Sequence, residues 1–462
     1  MKRKLIAIIA LLSMMLFALG ACGQKGPHVT EGKNGQIVHF KFTYWGTPLE
    51  KQSIESAIHS FNKSHPNIRV TSQQISTNYI EKMSTLASTD DLPDVGYMPE
   101  VNMADWGRGG KLLDLSSLYK KGGAFATKLP ASQFKFSGSS KIFGSSASVA
   151  SFVLYYNKTY FAKEHVALPP HDPSKAWTWD EFIKVCQQLT VDRNGKHPNE
   201  KGFDANNIQT YGVGNFTSLA YECFLKSNGG GLVSQDGKTI QIGSPATIDA
   251  LQKIQDLMYK YHVMPTPSQA STVPQTDTAM LTNRIAMSID GSWSFQTLGN
   301  AIKQQHLKVG VGVLPKMGNK LVTMNYGVPI VAFRTATTTK YRKQALEFVK
   351  FLMDPQNQTP MLASGLWQPN QLDWYTNKKK LSSWAEKSGL PDHIESSFAQ
   401  QNLHYLVQTP AFFFKDTNKL TDIINPALDE IWTGKKTAKQ AVKDDIMPPV
   451  KMTFGTEYKY AQ

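Results

Sequence analysis

Two hydrophobic periods take turns along this chain from residue 37 onward, and few architectures accommodate that. Ile37 to Tyr44 (IVHFKFTY) alternates apolar and polar positions and is rich in β-formers, which predicts a strand. Trp45-Gly46-Thr47-Pro48 is a turn, and Glu50 to Ser64 then places Ile54, Ala57, Ile58 and Phe61 on one helical face. His65-Pro66-Asn67 ends that helix before a second strand, Ile68 to Ile75, and a helix from about Ile80 to Ala87. The segment Asp94 to Met98 (DVGYM) is a short strand that leads through a loop and helix to Leu112-Leu113-Asp114-Leu115. Strand–helix alternation of this kind predicts an α/β architecture with a largely parallel sheet.

The alternation continues through the middle of the chain. Ser151 to Tyr156 (SFVLYY) reads as a buried strand. Thr178-Trp179-Asp180-Glu181 has the spacing of a capping box in front of EFIKVCQQL. Ser244-Pro245 opens the helix ATIDALQKIQDLMYKY, and Lys340 to Met353 forms an amphipathic helix stopped at Asp354-Pro355. The last third is mostly helical in pattern, and no internal repeat is visible.

The first residues obey different rules. Lys2, Arg3 and Lys4 precede an apolar run from Leu5 to Leu19, followed by Gly20, Ala21 and Cys22. This is the layout of an export signal, and the run is short for a membrane-spanning helix of about 20 residues. Leu19-Gly20-Ala21-Cys22 looks like a bacterial lipobox, in which the Cys22 thiol is acylated and becomes the new N-terminus. We therefore expect a signal peptide over residues 1–21 and a flexible Gly/Lys/polar tether over 22–36. Cleavage lowers the formal charge from +14 to +11.

With 462 residues, 41% hydrophobic and 19% charged, the chain is long enough for two or three domains with ample cores. A mean hydropathy of −0.33 excludes a polytopic membrane protein. Three cysteines exclude a disulfide-stapled scaffold. Cys186 falls at an apolar helical spacing and reads as a buried thiol; pairing with Cys223 is the alternative. The basic residues are scattered and their longest run is Lys378-Lys379-Lys380, which argues against nucleic acid as a partner.

Enzyme motifs fail individually. No G-x-S-x-G, H-E-x-x-H or P-loop is present, and the glycine pairs at 212/214 and 310/312 lack the third glycine of a dinucleotide fingerprint. The eleven histidines show no metal-ligand spacing, and Asp192-Arg193-Asn194-Gly195 reads as a turn rather than a calcium loop. No catalytic residue, metal or cofactor is expected.

Several blocks occur in an informative order: FTYWGTPLEKQSIESAIHSF, LPDVGYMPEVNMADWGRGGKLLDLSSL, VLYYNKTYF, TWDEF, YGVG, LTNRIAMSIDGSWSF, ALEFVKFLMDPQNQ and ASGLWQP. Together they resemble the extracellular solute-binding proteins of carbohydrate ABC transporters, the family that includes maltose-binding proteins. Arg284 stands where that pattern usually has Gly, and Ala150-Ser151 stands where maltose-binding relatives carry a cleft Glu.

The resemblance implies a two-lobe, periplasmic-binding-protein-like α/β fold of type II with the ligand cleft between lobes. It implies one lobe from residues 37–149 and 315–361 and a second from 150–314 and 362–455. Chain crossings are expected near 148–151, 310–314 and 359–364. The glycines of Val309 to Leu314 either absorb a hinge motion or permit close packing in a strand.

A sugar offers flat C–H faces to aromatic rings and hydroxyls to carboxylates and amides. The ligand-binding candidates are Trp45, Glu100, Asn102, Asp290, Trp293, Asn325, Tyr326 and Trp367. Trp106, Trp179 and Trp432 are expected to be structural. The implied protein is a non-enzymatic monomer, lipid-anchored on the extracellular face of a Gram-positive cell membrane. It would pass a carbohydrate ligand to ABC permease subunits. A non-sugar solute (polyamine, phosphoester or peptide) and a surface glycosidase are the alternatives.

Overall fold

A computed structural model describes residues 26–33, 35–132, 134, 139–214 and 219–461, so the export signal and Cys22 lie outside the described residues. The alternation read from the sequence folds into two large, separate sheets, beside two small two-stranded ones among the described residues. The first contains strands Val29–Gly32, Gly35–Tyr44, Ile68–Gln74, Val95–Tyr97, Ser145–Ser146 and Pro329–Ala332. The second contains Phe152–Asn157, Val191–Asp192, Ile208–Gly214, Ile285–Gly291 and Val309–Gly312. Helices cover both. Phe40, Phe42, Ile54, Phe61, Phe348 and Leu352 belong to the core of the first lobe. Tyr156, Phe182, Leu251, Ile254 and Met287 belong to a core of the second.

Both sheets are mixed rather than largely parallel. Gly35–Tyr44 runs parallel to Ile68–Gln74 and to Val95–Tyr97, but Pro329–Ala332 is antiparallel to Val95–Tyr97. In the second sheet Ile285–Gly291 is parallel to Ile208–Gly214 and antiparallel to Phe152–Asn157. The cause is how the chain enters. Pro329–Ala332 and Phe152–Asn157 each start from the junction of the lobes and run away from it. The strands beside them, Val95–Tyr97, Ile285–Gly291 and Val309–Gly312, run towards it.

Three segments form that junction, side by side. Residues 147–150 hydrogen-bond to 326–328 through Ala147 N to Val328 O (2.8 Å) and Tyr326 N to Ala150 O (2.7 Å). Val149 N donates to Gln368 O at 3.0 Å, adding the third segment. Gly327 is required here, because a Cβ would stand 2.4 Å from Ser148 O. These positions correct two expectations. Val309–Gly312 lies within the second sheet, paired with Phe152–Asn157; a Cβ on Gly310 would strike the Tyr156 ring at 2.4 Å, so its glycine serves close packing. Thr359–Ser364 is a helix, and the chain crosses after it.

The lobe boundaries move accordingly. Met317, Leu321 and Met324 pack in the second core, although residues 315–325 were expected in the first lobe. Leu362 and Trp367 pack in the first core, although residues 362–367 were expected in the second. Phe412 comes from the C-terminal third yet stacks on Phe134 at 3.8 Å within the first core.

Local signals are realised. Thr178 Oγ1 accepts from Glu181 N (3.3 Å), and Glu181 Oε2 accepts from Thr178 N (2.8 Å). Ser244 caps the helix Pro245–Tyr259. Asp192 accepts from the backbone of Asn194, Lys196 and Asp204, which makes it a turn with its carboxylate fully used. Cys186 and Cys223 are buried free thiols. The tether is shorter than expected, since Val29–Gly32 forms a hairpin with Gly35–Val38 at the end of the sheet remote from the junction. Among the described residues no helix is long and apolar enough to cross a membrane.

Candidate functional site

Ligands of open α/β sheets collect at the carboxyl ends of the strands. Here the strands that run towards the junction end facing one another. Val95–Tyr97 is followed by Met98-Pro99 and the helix Glu100–Arg108, so Glu100 stands at the helix start. Ile208–Gly214 is followed, across residues 215–220, by the helix Tyr221–Ser227, so Glu222 holds the equivalent place in the second lobe. Between them lies a cleft of about 540 Å³ lined by Glu100, Tyr221, Glu222, Tyr326, Thr409 and Trp432, among others.

The far wall is the helix Thr417–Trp432. Its cleft-facing positions Asn418, Asp422, Asn425 and Asp429 recur at helical spacing, and the row ends in Trp432. The Trp432 ring lies 6.2 Å from Tyr221 at a 59° tilt. This tryptophan is half-buried: it packs against the second core, as expected, and also lines the cleft, which was not expected.

The polar groups are unusual. Burial pushes the Glu100 carboxyl up to about 7, against a hydrogen bond to its own backbone that lowers it. Burial likewise raises Glu222 to about 7, opposed by a hydrogen bond with Tyr326 and by the charge of Lys226. The Tyr326 hydroxyl donates to Leu219 O at 3.1 Å. Glu222 is 8% exposed and its Oε2 has no partner; Thr409 Oγ1, on a residue 2% exposed, has none either. Buried polar atoms are normally satisfied, so two orphans facing one cleft mark where a ligand's polar groups would sit.

Of the eight residues singled out in the sequence, the cleft brings together Glu100 and Tyr326. Trp293 is half-buried and adjoins this group through Phe152, which meets Trp293 at 5.5 Å and Tyr326 at 5.3 Å, both edge-on. Trp45 is half-buried at the end of its strand and packs edge-on against Tyr79 (5.0 Å) and Tyr97 (4.8 Å). Asn102 is half-buried two residues after Glu100 on the same helix and does not line the cleft.

Three residues do something else. Asn325 is fully buried and its amide is spent on Ala150 N (3.2 Å) and Ala131 O (2.9 Å), which fixes the junction and leaves no group for a ligand. Asp290 is buried and accepts from Gly291 N (2.7 Å), Ser294 Oγ (2.8 Å), Thr276 Oγ1 (3.2 Å) and the Trp293 side chain. It orients Trp293 rather than a sugar. Trp367 is 2% exposed and packs on Tyr97 in the first core.

Tyr221, Glu222 and Trp432 were not anticipated. The acidic residue soon after the strand ending YGVG repeats the Glu100 arrangement, and the Asn/Asp row at helical spacing ending in Trp was legible in TNKLTDIINPALDEIW.

A match to the model of bacterial extracellular solute-binding proteins covers residues 45–359, more than half of the chain. The chain belongs to that family. Its members bind solutes rather than transform them, and the two-lobe α/β architecture is theirs. Solved structures agree on the fold. A Listeria monocytogenes ABC substrate-binding protein in complex with cycloalternan is 23% identical, with a TM-score of 0.74 over 91% of this chain and 99% of that one. A Thermotoga lettingae solute-binding protein bound with α-D-tagatose is 21% identical, TM-score 0.71, over 90% and 100%. A maltose/maltodextrin-binding domain from Bdellovibrio bacteriovorus bound to maltotriose is 17% identical, TM-score 0.68, over 90% and 100%.

Proposed function

We propose that this solute-binding protein captures a sugar or oligosaccharide between its lobes and delivers it to the membrane subunits of an ABC importer. We further propose that an acylated Cys22 holds it at the outer face of the membrane. The observation that carries the reading is the composition of the cleft: aromatic faces from Tyr221, Tyr326 and Trp432 beside the unpartnered Glu222 Oε2 and Thr409 Oγ1. Rings stack on the apolar faces of pyranoses, and carboxylates accept from their hydroxyls. The relatives solved with cycloalternan, tagatose and maltotriose point the same way.

Delivery would rest on lobe closure. A ligand that touches Glu100 on one lobe and Glu222 on the other has differential affinity for the closed form, and only differential affinity shifts a population. ATP would be consumed by the partner subunits.

A polyamine is the second reading, favoured by the four carboxylates of the cleft lining. A phosphoester is disfavoured, since no Lys or Arg lines the cleft among the described residues. A thermal-shift screen of a saccharide library with spermidine and putrescine alongside decides between them. A true ligand at 100 times its Kd adds about 2.7 kcal/mol of stability. Stabilisation by a saccharide and none by the polyamines is the expected result; the reverse overturns the sugar reading.

A further inference from the structure

The protein carries a formal charge of +14, yet its cleft is acidic. Glu100, Glu222, Asp422 and Asp429 line it, and among the described residues no basic side chain does. We propose that this cleft selects its saccharide by charge, taking an amine-bearing glycan in preference to its neutral counterpart and rejecting a uronate one. The inference rests on the saccharide reading and adds the substrate class.

Surface carboxylates are solvated by water and call for no ligand. Glu222 is different. It is over nine-tenths buried, it faces the cleft, and its Oε2 has no partner. Lys226, one turn further along the same helix, is the cation that acts on it, but the Lys226 ammonium donates to Val233 O at 2.9 Å. Arg108, on the Glu100 helix, is engaged with Asp105 and Asp416. Among the described residues no basic side chain lines the cleft, and neither Lys226 nor Arg108 forms an ion pair with Glu222 or Glu100.

A desolvated carboxylate without an ion-pair partner is held at a cost in free energy, which shows as the upward push on both glutamates. A neutral hydroxyl supplies a donor but no charge. A protonated amine supplies both, and a charge-assisted hydrogen bond is roughly twice as strong as a neutral one. A ligand carboxylate would add a like charge to a desolvated acidic site, the kind of repulsion that sets specificity.

The test uses the whole chain and three oligosaccharide sets of matched length: neutral gluco-, manno- and galacto-oligosaccharides, their amine-bearing counterparts, and oligouronates. Calorimetry at pH 8 gives the affinity ratios. The expected result is an amine-bearing glycan bound about tenfold tighter than its neutral counterpart, with no oligouronate bound. That ratio should collapse towards one in Glu222→Gln, and Glu222→Asp should keep part of it. A folding defect lowers all affinities together and leaves the ratio unmoved, so the ratio reports on charge. An oligouronate bound as tightly as the neutral glycan overturns the inference alone, as does a ratio unchanged in Glu222→Gln. Failure of every saccharide overturns the sugar reading together with it.

Discussion

At the scale of single residues, the account turns on which side chains face the cleft with unused chemistry. Trp432 offers the second lobe's flat face. Trp432→Ala should weaken binding of a saccharide found by screening by about 1–3 kcal/mol, roughly tenfold to a hundredfold, in a variant that still folds. Titration calorimetry beside a melting curve checks both parts. A second prediction concerns Glu50, which is 7% exposed, accepts from the Tyr97 hydroxyl at 3.2 Å, and is pushed up to about 7 mainly by burial. The folded carboxyl holds its proton where the unfolded one, with a pKa near 4.5, has lost it. Its contribution is therefore fully favourable below pH 4.5 and is lost as pH rises to about 7 and beyond. Glu50→Gln should gain on the order of 1–3 kcal/mol at pH 8 and nothing near pH 4, read from denaturant melts at both. Equal effects at the two pH values would contradict a buried ionisable Glu50.

At the scale of elements, much of the chain was legible because local signals and tertiary demands agree. Thr178 and Glu181 make the capping box their spacing implies, and Ser244-Pro245 starts the helix it should. Disagreements appear where a segment's partner lies far along the sequence. Val29–Gly32 reads as polar tether but pairs with the next strand. Gly310 and Gly312 are compatible with a hinge or with packing, and only the Tyr156 and Pro169 side chains against them decide for packing. Trp367 and Asn325 sit in blocks that resemble cleft segments, yet core and junction contacts claim them. The junction carries its own prediction. A Cβ at Gly327 would meet Ser148 O at 2.4 Å, and the contact is backbone, which cannot swing aside. Gly327→Val should cost about 1–3 kcal/mol by overpacking, measured by denaturant unfolding. A variant as stable as the parent would mean that the crossings are not pressed together.

At the scale of the whole molecule, two lobes meet at three segments that pair antiparallel side by side, and an acidic, aromatic cleft lies between the lobes. The hairpin that begins the described chain lies at the far end of the first sheet, so the expected anchor would attach away from the cleft and leave its mouth free. Cys22 itself lies outside the described residues, and its acylation is tested by mass. The wild-type protein should carry a lipid on Cys22, and Cys22→Ala should appear unprocessed or in the medium. An acyl-free wild type would remove the anchor from the account.

The central claim is that a saccharide is held between the two lobes by Glu100, Glu222 and Trp432. Hydrogen–deuterium exchange with and without a saturating saccharide tests it most directly. Slowed exchange should appear together at the start of Glu100–Arg108, at the start of Tyr221–Ser227 and near Trp432, with residues 147–150 and 326–328 responding as the lobes close. Protection confined to one lobe, or found at the Val29–Gly32 end of the first sheet, would contradict it.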